Sequence, residues 1–182
     1  MKVSTFVFVL LLIGTLAACQ STTPTARSGF LGDYSKLKSD PNFDNALRWA
    51  NPAKPVKQYR KFMLDPVIVH FAPNAEGTAI DPGELKKLTD YFHDQAAKAL
   101  SKQFQVVSQP GPGVLRIRVA ITGIEKTIPI LNIHPGTRLT GAGLGGASME
   151  GEAIDSVSGE RIVAIMDSRR GNRASFGAGL ET

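Results

Sequence analysis

Cysteine is almost absent from these 182 residues: Cys19 stands alone. A single thiol excludes an intramolecular disulfide framework and a cysteine-based zinc cage. Histidine is scarce as well. His70, His93 and His134 show no H-E-x-x-H spacing, and Asp90 with His93 on one helix face supplies two ligands where zinc takes three or four. The longest apolar run starts at Phe6 and is broken at Gly14-Thr15, short of the about 20 residues that a spanning helix needs. No internal repeat occurs. A charged content of 20% against 42% hydrophobic residues excludes a disordered or collagen-like chain and fits one globular domain.

What is present is concentrated at the start. Lys2 precedes the apolar stretch Phe6–Ala18, the layout of an export signal. Its end, Leu16-Ala17-Ala18-Cys19, resembles a bacterial lipobox. That resemblance implies cleavage before Cys19 and acylation of its thiol, with small residues upstream so that the extended segment fits the peptidase. Two or three acyl chains at roughly 0.8 kcal/mol per buried methylene would anchor the protein firmly. Residue 20 is Gln rather than Asp, which in enteric-type bacteria implies transfer to the outer membrane.

The chain divides into a signal (1–18), a polar tether (19–27) and one domain (28–182). Within the domain, Ser28 to Asp65 scatters aromatics among Pro41, Pro52 and Pro55 and reads as an irregular arm. The regular body is expected from Pro66. Val67–Phe71 reads as a strand, and Asp81-Pro82 followed by Glu84 is a helix start. Leu85, Leu88, Phe92, Ala96 and Ala99 then form one apolar face to about Gln103. Phe104–Val107 is a short strand, and Leu115–Thr122 alternates as a half-buried strand. Residues 149–155 and 161–167 form a hairpin around Asp155–Gly159. The fold class is therefore α+β: a small, mostly antiparallel mixed sheet with one long helix on one face, preceded by the arm.

The motifs Phe30-Leu31-Gly32-Asp33-Tyr34-Ser35, Leu64-Asp65-Pro66-Val67 and Ala147-Ser148-Met149-Glu150-Gly151-Glu152, with Asp155, Ser158-Gly159-Glu160 and Asp167–Gly171, resemble the uncharacterised bacterial lipoproteins of domain of unknown function family 3313. The resemblance implies a location and an α+β fold, and brings no catalytic, cofactor or metal residues. It also implies an amphipathic helix after the hairpin, where this chain stops at Gly179-Leu180-Glu181-Thr182.

Other patterns carry less chemistry. Gly141-Ala142-Gly143-Leu144-Gly145-Gly146 has dinucleotide-loop spacing but leads into a strand rather than a helix. Ser148 lacks the second glycine of a nucleophile elbow. Glu150, Glu152, Asp155 and Glu160 suggest paired acids for sugar chemistry, yet cross-strand pairing of Glu150 and Glu152 with Arg116 and Arg118 explains them better. Arg161, Arg169, Arg170 and Arg173 make the C-terminal part basic and the net charge +5. Outside the cytoplasm that charge suits anionic lipid or envelope polymers, not nucleic acid. The expectation is a lipid-anchored, periplasm-facing binding or assembly module, not an enzyme, without cofactor. The rivals are an envelope-directed hydrolase and a spacer between membrane and wall. Its partners are the membrane, through the anchor, and an envelope protein or a second copy. Val163 and Ile165 are expected on the sheet face away from the helix, as the open strip for that contact.

Overall fold

The computed structural model describes residues 26–43, 45–75, 77–126 and 144–170. They form an eight-stranded mixed sheet and one long helix, the α+β class expected from the sequence. The elements are β1 (Lys38–Ser39), β2 (Ala46–Ala50), β3 (Lys61–Leu64), β4 (Ile68–Val69), α1 (Pro82–Ser101), β5 (Gln105–Val106), β6 (Val114–Lys126), β7 (Leu144–Asp155) and β8 (Arg161–Arg170). The sheet order is β1-β2-β8-β7-β6-β3-β5, with β4 also on β6. The half from β1 to β6 is antiparallel; β3, β4 and β5 pair in parallel.

β3 and β4 share one edge of β6: Lys61–Leu64 lies along Val114–Ile117, and Ile68-Val69 along Ala120-Ile121. Pro66 falls between them and has no N–H for the ladder. The expected strand over 67–71 is accordingly shorter, though His70 N–H still reaches the Ile121 carbonyl at 2.9 Å. The helix begins as expected. Asp81 Oδ1 accepts from the Gly83 and Glu84 amides at 2.8 and 3.1 Å, and Pro82 occupies the first turn. Leu85, Leu88 and Phe92 then pack on Val67, Val119, Ile121 and Ile124. Gly77, at φ +93°, lets the preceding loop lie against β6; a Cβ there would stand 2.9 Å from the Ile124 carbonyl.

Two expectations need correction. The arm is only partly irregular: β2 pairs with β8 from Ala46↔Asp167 to Ala50↔Val163, and β3 lies beside β6, so the sheet begins well before Pro66. Such short strands, set among prolines and after Asn45 at φ 63°, leave too few residues to show a period. Second, Val163 and Ile165 lie on the α1 side. Val163 pairs through Ala153 with Ile117, and Ile165 through Gly151 with Val119. A strand apolar on both faces carries no phase of its own, and the hairpin register sets it. The arm instead covers Ala164 and Met166, packing Phe30, Leu31, Tyr34 and Leu37 there. Val163 and Ile165 stay half-buried on the helix side, where Val163 packs against the cluster of Tyr59, Phe62, Leu115 and Ile162, the first two from the arm.

Candidate functional site

Alternation along β6 and β7 puts Arg118, Glu150 and Glu152 on the face beneath the arm. Glu150 is completely buried. Its carboxylate accepts from the Ser28 amide at 2.8 Å, the Tyr34 hydroxyl at 2.7 Å and the Leu31 amide at 3.4 Å. All three donors belong to the arm. The Tyr34 oxygen in turn accepts from the Gly29 amide at 2.7 Å and the Leu31 amide at 3.3 Å. A buried carboxylate is costly unless hydrogen-bonded, so this chemistry ties the position of residues 28–34 to the sheet. Burial, and then the bond to Glu150, raise the Tyr34 phenol above its ordinary 10.0.

Glu152 holds the next contact. It accepts from Arg118 Nη1 at 2.6 Å and Arg161 Nε at 2.8 Å. Arg161 also donates through Nη1 to the Asp33 carbonyl at 2.9 Å and through Nη2 to that of Leu31. One guanidinium thus joins β7, β8 and the arm, a fork that lysine lacks. The expected cross-strand pair Arg118–Glu152 is present. Glu150 instead takes neutral donors, and Arg116 turns to Asp65, with Nε at 2.8 Å from Oδ1 and Nη2 at 2.7 Å from Oδ2.

Beside this latch opens a cleft of about 500 Å³, lined by Asp33, Lys36, Trp49, Asn51, Glu160 and Arg161 among others. Lys36 Nζ sits 4.9 Å from the centre of the Trp49 ring. Many of the other polar groups are already engaged: Asn51 Nδ2 donates to Glu160 at 2.8 Å, and Lys54 meets Glu160 at 2.6 Å. The bond from Lys54, then that from Asn51, lowers the Glu160 pKa; the Ser35 amide lowers that of Asp33. The cleft offers an aromatic face and paired charges.

The remaining sequence candidates are dispersed. Ser148 Oγ lies on β7, 2.9 Å from Ser168 Oγ. Asp90 pairs with Lys86 at 2.6 Å, and His93 Nδ1 lies 3.7 Å from Asp94. His70 is exposed, its ring 6.3 Å from that of Phe30. The glycine run leads into β7, and Gly145 and Gly146 belong to that strand. Asp155 caps the hairpin turn, accepting from Val157 and Ser158; the Ser158 amide first, and then Tyr59, bring its pKa down to about 2. Cys19, His134, Arg173 and Gly141–Gly143 lie outside the described residues. Among the described residues no group of three or more His, Cys, Asp or Glu is placed to hold a metal. Sequence reasoning missed the partnership of Tyr34 with Glu150, although both belong to motifs it singled out.

An α+β domain with its N-terminal arm latched into the sheet is the class these contacts define. The chain belongs to the family described as "Protein of unknown function (DUF3313)", which it matches over residues 26–179. It is 26% identical over 187 residues to the uncharacterized lipoprotein YdcL of Escherichia coli K12, covering 91% of this chain and 82% of that one. Among solved structures it aligns with the PelC dodecamer of Paraburkholderia phytofirmans at TM-score 0.42 and 14% identity, over 71% of this chain and 83% of that one. With lipoprotein GNA1162 of Neisseria meningitidis the TM-score is 0.35 at 9% identity, over 66% and 87%. Likenesses this loose say nothing of ligand or assembly.

Proposed function

We propose that this protein is a lipoprotein anchored through acylated Cys19 to the outer membrane, a non-enzymatic binding or assembly module facing the periplasm. The latch carries the reading. Ser28, nine positions after Cys19, is already tied to Glu150. An extended chain of that length reaches about 30 Å at most. The anchor therefore holds a folded body close to the bilayer, in the way suited to presenting a surface rather than roaming. Among the described residues two surfaces suit such contact: the Trp49 cleft, and the half-buried strip of Met149 and Ile165 on the helix side, where an envelope protein or a second copy would pack.

Cys19→Ala should abolish incorporation of labelled palmitate and leave a precursor that retains its signal; equal labelling of the two proteins would refute the anchor. In an enteric host, Gln20→Asp should move the protein to the inner membrane, and unchanged fractionation would contradict outer-membrane placement. A photo-crosslinking residue at 49 or 165 should give a discrete adduct in intact cells. Bare protein at both positions would count against a binding role.

A further inference from the structure

The arm enters the body at a distinctive corner. Arg27 is exposed, its guanidinium 5.3 Å from the Tyr34 ring. Phe30 lies 5.2 Å from the Arg118 guanidinium and 6.3 Å from the exposed His70 ring. Ile68, two residues before His70 and so on the same side of its strand, is 44% exposed. It pairs with Ala120, which pairs with Glu150, placing it in the row of the sheet that pins Ser28. The other exposed large hydrophobics among the described residues, Val106 and Val157, lie elsewhere, on β5 and in the hairpin turn. From Cys19 to Gly32 the one charged residue is Arg27; the first acid is Asp33. Glu150 and Glu152 beneath the corner are buried.

An aliphatic and an aromatic side chain beside a cation and an imidazole match the boundary of an anionic bilayer, where apolar groups enter the acyl edge and cations meet phosphates. We propose that Arg27, Phe30, Ile68 and His70 form the face that rests on the membrane surface. This rests on acylation of Cys19, because the short tether is what brings the corner to the lipid. The hairpin turn then points away: Glu150 to Asp155 alone spans about 17 Å along β7, with Val157 beyond it.

The test uses full-length protein, purified from bacterial membranes and placed in vesicles of phosphatidylethanolamine and phosphatidylglycerol. Acylated Cys19 is a thioether, so Ile68→Cys supplies the one thiol for a nitroxide label. His70→Cys is a second reporter of the corner, and Val157→Cys is the control. The labels at 68 and 70 should collide about fivefold less often with an aqueous nickel complex than the label at 157, as for groups seated in the headgroup boundary. Equal collision rates in protein that floats with the vesicles would overturn the docking and leave the anchor standing. Protein that fails to float, with Cys19 itself taking the label, would overturn the anchor and the docking together.

Discussion

On the helix side of the sheet, Leu85, Leu88 and Phe92 meet Val67, Ile121 and Ile124 through apolar contact. On the arm side, Leu31 and Tyr34 also pack on apolar Met166 and Ala164, but Glu150 and Glu152 sit among them, with Arg161 binding arm carbonyls. Apolar packing is non-directional and fixes how much surface is buried. Buried carboxylates are directional, and each needs its donors in place. The helix layer is thus built for stability. The arm layer fixes where one particular stretch of chain lies, and that stretch is the one next to the predicted lipid.

The largest break should come on the helix side. Ile121→Ala, at a site 1% exposed, removes core volume and should lower unfolding free energy by about 2–5 kcal/mol, measured by chemical denaturation. It should do so without loosening the arm first. Glu150→Ala should cost roughly 1–3 kcal/mol, since two amides and a phenol lose their acceptor. Its signature is selective: proteolysis within residues 28–37 should accelerate while the sheet stays protected. Asp81→Ala removes the helix cap and should cost about 1 kcal/mol in the same denaturation assay. Smallest are the pH effects, of opposite sign at the two ends. The Tyr34 pKa is raised above 10.0 in the folded protein, so its contribution is complete below that value and is lost as pH rises through the folded pKa, loosening the arm. The Asp155 pKa is lowered from 3.8 to about 2, so its contribution is present above 3.8 and is lost as pH falls toward 2, loosening the hairpin turn. Amide exchange against pH should show the two regions loosening at opposite extremes.

This contrast also explains what the sequence made legible. Asp81, Pro82 and the Leu85–Leu88–Phe92 spacing announce the helix because capping and period are local. Asp155 and Gly159, the latter at φ +72°, announce the hairpin for the same reason. The phase of Val163 and Ile165 is non-local, set by register with Ala153 and Gly151, and a strand apolar on both faces hides it. β2 and β3 are too short for a period to appear. Glu150 looks like a surface acid in sequence. Only the return of Ser28, Leu31 and Tyr34 across more than a hundred residues of chain makes its burial tolerable. The latch was visible as two motifs, Phe30–Ser35 and Ala147–Glu152, but not as one contact.

Hydrogen exchange on Glu150→Ala, compared with the unchanged protein, tests the account most directly. The amides of residues 28–34 should lose protection while Pro82–Ser101 and Leu144–Asp155 keep theirs. Protection of the arm left unchanged, or lost uniformly across the molecule, would contradict the claim that this carboxylate holds the arm at residues 28–34.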